Sequence, residues 1–127
     1  MKNILIGLLL VLLTTLSACD DGLCDCDRGP FFGELQVKLT INDDNPEVLL
    51  TIMEGNIESA DTVISEYVNE KNVYYDLEAD RYYSAVVTYN QGIRRITAVD
   101  GKRMRLTDDD CGCDYAKDIT LNLRLAN

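Results

Sequence analysis

Two identical spacings carry most of the reactive chemistry in this chain: Cys24-Asp25-Cys26 and Cys111-Gly112-Cys113. In an extended segment, residues i and i+2 point to the same face, so two such pairs on neighbouring strands can oppose each other. Antiparallel neighbours would join Cys24 to Cys113 and Cys26 to Cys111. Parallel neighbours would join Cys24 to Cys111 and Cys26 to Cys113. Either way each bridge closes a loop of nearly ninety residues. The first such bridge contributes about 4–5 kcal/mol on the chain-entropy model, and the second adds little because the loop is already closed. The same thiols could instead hold zinc or another soft metal as thiolates, with Asp25, Asp110 and Asp114 nearby, or cycle as a redox pair. Zinc-binding pairs usually leave a gap of two residues between cysteines, and here the gap is one. Cys19 is the fifth cysteine and leaves the count odd.

Other chemistry is thin. The chain has no His and no Trp, but seven Tyr. The commonest neutral-pH acid–base group is therefore missing, along with the commonest metal ligand. With 22 acidic residues in 127, carboxylate pairs arise by chance. There is no glycine-rich phosphate loop and no activated serine motif, so neither a catalytic residue nor a cofactor is expected. Asp43-Asp44-Asn45 and Asp108-Asp109-Asp110 offer oxygen ligands of the kind calcium prefers, but neither follows a known ligand spacing, and both read as solvated loops. Arg94, Arg95, Lys102, Arg103 and Arg105 concentrate in what reads as one hairpin. This basic stripe suits contact with an acidic partner or polysaccharide. It also suits charged edge strands that discourage sheet-to-sheet aggregation.

The elements that must position these groups are strands. Glu34 to Ile41 alternates through Leu35, Val37, Leu39 and Ile41, the pattern of a half-buried strand. A turn cluster at residues 42–46 follows. Val48 to Glu54 alternates through Val48, Leu50 and Ile52, and Gly55-Asn56 breaks it. Ile57 to Val68 is compatible with a helical turn but reads better as strand or loop. Val73, Tyr75 and Leu77 alternate again. Arg81 to Tyr89 is rich in β-branched and aromatic residues and apolar on both faces, as in a central strand. Asn90-Gln91-Gly92 reads as a hairpin loop, and Asp100-Gly101 as a second one between Ile93–Val99 and Lys102–Leu106. Ile119, Leu121, Leu123 and Leu125 form a last strand. The sum is an all-β fold: an antiparallel two-sheet β-sandwich of about seven strands.

Leu77-Glu78-Ala79-Asp80-Arg81-Tyr82-Tyr83 resembles the turn-into-strand of immunoglobulin-like and carboxypeptidase-regulatory-like (prealbumin-like) domains. The resemblance implies that a tyrosine hydroxyl, of Tyr82 or Tyr83, clamps the preceding turn. Asp80 stands where that turn often carries glycine.

At the N-terminus, Met1-Lys2-Asn3 precedes an apolar run from Ile4 to Leu16. The run is too short for the ~20 apolar residues that cross a bilayer and fits a secretory signal. It ends in Leu16-Ser17-Ala18-Cys19, which resembles the lipobox of bacterial lipoproteins. The resemblance implies cleavage before Cys19, a diacylglyceryl group on its thiol and an acyl chain on the new N-terminus. Export also implies an oxidising compartment, where disulfides persist. The acidic run Asp20, Asp21, Asp25, Asp27 resembles the tether of Bacteroidota-type lipoproteins sent to the outer face of the outer membrane. In other bacterial groups, Asp directly after the lipidated Cys marks retention in the inner membrane.

The expected organisation is a signal peptide at 1–18, an acidic tether with one Cys pair at 19–32 and a β-sandwich at 33–127. Loss of Lys2 with the signal takes the net charge from −10 to −11, which argues against nucleic acid as a partner. The expected role is a membrane-anchored, non-enzymatic binding or assembly module of the cell envelope, with the lipid bilayer and an envelope protein or polysaccharide as partners. The alternative is a thiol-based metal or redox protein using Cys24, Cys26, Cys111 and Cys113.

Overall fold

The computed structural model describes residues 24–126; the expected signal peptide at 1–18, Cys19 and Asp20-Asp21 lie outside them. Among the described residues there is no helix, and two sheets hold seven strands. We number the strands β1 (Phe32–Lys38), β2 (Val48–Glu54), β3 (Asp61–Val68), β4 (Asn72–Glu78), β5 (Arg81–Gln91), β6 (Arg94–Met104), β7 (Leu106–Asp108), β8 (Asp114–Ala116) and β9 (Ile119–Asn122). One sheet runs β4-β1-β9 and the other β3-β2-β5-β6, while β7 and β8 form a separate ribbon. All pairings are antiparallel except one, between β1 and β9.

The alternating residues do what their period requires. Leu35 and Val37 of β1, Leu50 and Ile52 of β2, and Ala85, Val87 and Tyr89 of β5 face one another between the sheets with Leu121 and Leu123. Burial of apolar surface at about 25 cal/mol per Å² is what holds the two layers together. Residues 61–68, compatible with a helical turn on sequence, form β3; it pairs with β2 alone and is mostly exposed. That edge position gives it little apolar demand and hence a weak pattern.

The Asp100-Gly101 hairpin is a correction. β6 runs straight through both residues, with Asp100 opposite Ala85 and Gly101 opposite Ser84. The reason lies in the neighbours. The Tyr82 ring lies over Gly101 so closely that an added Cβ would sit 2.6 Å from its hydroxyl. Asp100 is used across the sandwich: its Oδ1 accepts the Gly101 N–H and its Oδ2 accepts the Asn122 N–H at 2.9 Å. Lys102 Nζ donates to the Thr120 carbonyl at 2.8 Å. Two charged side chains of β6 thus supply the hydrogen bonds that a further strand would give β9. An edge blocked by inward-pointing charge resists intermolecular pairing.

The β4–β5 turn bears out the clamp. The Tyr83 hydroxyl donates to the Glu78 carbonyl at 2.7 Å, and Asp80 adopts φ 63°. That left-handed conformation costs an ordinary L-residue roughly 1–2 kcal/mol, whereas Asp and Gly tolerate it. Asp80 also meets Arg103 at 2.9 Å, an exposed ion pair that contributes little. Asp80→Gly is therefore expected to change stability by less than about 0.5 kcal/mol, and Asp80→Val to lower it by about 1–2 kcal/mol, as read from urea unfolding midpoints. Equal losses in the two variants would show that the ion pair, not the backbone, sets the turn.

Candidate functional site

The cysteine clamp is built on the β7–β8 ribbon. Asp108 pairs with Asp114, and residues 109–113 close the loop between them. Asp is a good residue here because its short carboxylate bonds nearby backbone N–H groups. Asp109 Oδ1 accepts the N–H of both Cys111 and Cys113, each at 2.9 Å. The Asp109 N–H donates to the Cys113 carbonyl and the Gly112 N–H to the Asp109 carbonyl. Gly112, at φ 73°, supplies a left-handed residue at no steric cost. One carboxylate thereby presents two cysteines at a fixed spacing.

Their partners come from the tether. Cys24 bridges Cys111 and Cys26 bridges Cys113, with Cα separations of 5.8 and 5.2 Å, both in the usual range for a disulfide. Of the two pairings open from sequence, this is the parallel one, although residues 24–26 form no strand. The bridges therefore fasten the tether to the ribbon, while its C-terminal end runs into β1. The ribbon in turn is seated on the sandwich. Gly33 of β1 lies under Met104 and Ala116, and a Cβ there would approach the Met104 sulfur to 2.8 Å.

One residue of each run is structural, while Asp43, Asp44, Asp108 and Asp110 are exposed. Asp109 is consumed in the clamp loop. Asn45 is buried, accepts the Asn90 N–H at 2.7 Å and donates to the Asn90 carbonyl at 2.9 Å, pinning the 42–45 turn to the end of β5. Among the described residues, no group of three or more metal-ligating side chains converges.

The basic residues are not one stripe on a hairpin, which corrects the sequence reading. Arg94, Arg95, Lys102 and Arg103 lie on the single edge strand β6, with Arg105 just past it. At about 3.3 Å per residue, Arg94 and Arg103 stand roughly 30 Å apart along β6. Lys102 and Arg103 make the contacts given above, whereas Arg94 and Arg95 form no ion pair among the described residues. The other end gathers Lys102, Arg103 and Arg105 with Lys117 around a shallow depression of about 440 Å³. Lys117 was missed on sequence; it arrives because its N–H donates to the Arg105 carbonyl at the base of the ribbon, a pairing without local pattern.

Tyr75, Tyr83 and Tyr89 are polar anchors of the sandwich. Burial pushes the Tyr89 phenol above its ordinary value, against the lowering effect of the Thr40 N–H. Tyr83 is raised, chiefly by burial. Tyr75 is raised by burial first, and then by its hydrogen bond to Glu66 and that residue's charge.

Comparison of the chain with protein-family models, curated proteins and solved structures found no match.

Proposed function

We propose that the chain is a lipid-anchored lipoprotein of the bacterial cell envelope, a non-enzymatic binding or assembly module held at a membrane through acylated Cys19. The observation that carries this reading is the pairing of the other four cysteines. With Cys24, Cys26, Cys111 and Cys113 bridged, the one cysteine left over is that of Leu16-Ser17-Ala18-Cys19. Two or three acyl chains, at about 0.8 kcal/mol per buried CH₂, make attachment effectively permanent where one chain is marginal.

The bridges also suit such an anchor. They join the tether a few residues after Cys19 to the ribbon, so a pull from the membrane is received by covalent bonds and not by the hydrogen bonds of β1. The acidic residues beside the anchor favour the outer membrane. The Tyr83–Glu78 clamp supports an immunoglobulin-like or prealbumin-like form of sandwich. The depression lined by Lys102, Arg103, Arg105 and Lys117 suits an acidic envelope protein or polysaccharide. The thiol-based metal or redox alternative needs free thiolates and hence reduction of both bridges.

Cys19→Ser tests the anchor. Wild-type protein is expected in the membrane fraction with incorporated palmitate, and the variant without palmitate and with Met1 retained. Equal labelling and equal membrane recovery of the two would overturn the proposal.

A further inference from the structure

The four-stranded sheet has two edges of opposite charge. β3 is one edge and β6 the other. Each pairs on one side only, β3 with β2 and β6 with β5. Asp61, Glu66 and Glu70 lie along or just beyond β3, and Arg94, Arg95, Lys102 and Arg103 along β6.

The pairing registers put these charges at matching heights. Glu66, Leu50, Val87 and Ala98 run across the sheet at one level. Two residues past the end of β3, Glu70 lies toward the end of the sheet where β6 carries Arg94. Toward the other end, Asp61, Glu54, Tyr83 and Lys102 share a level, with Arg103 next to it. β3 and β6 are also antiparallel to each other, as the three antiparallel pairings between them require. A second copy displaced sideways by one sheet width would therefore set its acidic edge antiparallel to the basic edge of the first. Acid would face base at the end where Glu70 and Arg94 lie.

We infer that two copies of this chain pair head to tail, β6 of one adding to β3 of the next. The inference rests on the assembly reading given above and names the partner. The segment that adds is Arg94–Val99, the half of β6 that precedes Asp100 and Lys102, whose side chains are turned to β9. It meets residues 65–70, where Tyr67 is 68 % exposed. Backbone hydrogen bonds provide the contact and the charges provide its polarity. A six-residue edge contact is smaller than a stable interface of ~1,200 Å² or more, so it is weak in bulk solution and gains from confinement to a membrane. Strands in a sheet turn by roughly 20–25° from one to the next, which across four strands is about a quarter turn per copy. A head-to-tail contact of this kind leaves one edge free on each end copy.

Full-length protein in nonionic detergent at low salt tests this by sedimentation. Wild type is expected to show concentration-dependent self-association that begins with a dimer. Arg94→Glu with Arg95→Glu makes both facing edges acidic, and Asn69→Lys with Glu70→Lys makes both facing edges basic. None of these four side chains has a polar partner among the described residues, so wild-type far-ultraviolet spectra are expected for both. Each double variant alone is expected to associate at least about tenfold more weakly than wild type, and a one-to-one mixture to recover dimer. A wild type that stays monomeric, or a mixture that does not associate, overturns the inference. Lipid on a monomeric chain would leave the anchored reading standing. Charge-dependent dimers of a chain without lipid would leave the pairing standing and remove the anchor.

Discussion

Serine at all four bridged cysteines is expected to lower the stability of the domain by about 4–5 kcal/mol, whereas serine at either pair alone costs under about 2 kcal/mol. The difference follows from topology. Both bridges span 87 residues, so either one alone closes nearly the same loop and removes nearly the same entropy from the unfolded chain. Breaking one bridge releases only the short ring between the two pairs. The two losses are therefore strongly non-additive, as expected for groups that share one constraint. Urea unfolding of wild type, Cys24→Ser with Cys111→Ser, Cys26→Ser with Cys113→Ser, and the fourfold variant closes the cycle. Additive losses would mean that each bridge restrains a different part of the chain. Because Cys24, Cys26 and Cys111 are exposed, a mild reductant is expected to reproduce the fourfold loss.

Tyr89→Phe is the next largest effect, at about 1–3 kcal/mol. Tyr89 is wholly buried. Its hydroxyl donates to the Leu123 carbonyl at 2.8 Å and accepts the Thr40 N–H at 3.0 Å, tying β5 to the chain after β1 and after β9. Phenylalanine keeps the packing but leaves one buried donor and one buried acceptor unpaired, which is why the loss exceeds that of an exposed hydrogen bond. The same residue has a pH signature. An unfolded tyrosine ionises near 10.0, and burial holds Tyr89 above that value in the fold. The folded state therefore keeps its proton where the unfolded state loses it. Stability is full below pH 10.0 and falls as pH rises through the folded value. Tyr83 and Tyr75 shift in the same direction. Tyr89→Phe is expected to make the alkaline decline shallower while lowering stability at pH 7. An unchanged alkaline slope would place the proton-linked loss on other groups.

Much of this could be read in advance wherever burial imposes a period of two. Val48–Glu54 emerged with its bounds because one face is wholly interior, and β5 was legible as central from its β-branched and aromatic run; it is paired on both edges, although only the face of Tyr83, Ala85, Val87 and Tyr89 is wholly buried. The clamping tyrosine was narrowed to two neighbours, and the interior position of Tyr83 decides between them. Long-range contacts left no local trace. Asp100-Gly101 has the composition of a hairpin turn, but its carboxylate is claimed by Asn122 and its missing side chain by Tyr82. The parallel pairing of β1 with β9 joins residues more than eighty positions apart. Asn45 looked like a solvated turn residue and is a buried peg, because its partner Asn90 is distant in sequence. The cysteine spacing announced two bridges, but the choice between pairings depended on the Asp109 loop, which presents Cys111 and Cys113 in a fixed order.

Intact mass spectrometry of protein purified from membranes without reductant addresses the anchored, doubly bridged molecule most directly. The expected mass is that of a chain beginning at Cys19, increased by a diacylglyceryl group and an amide-linked acyl chain and lowered by four hydrogens for two disulfides. A chain that begins at Met1, an unmodified Cys19, or free thiols carrying a metal ion would contradict it.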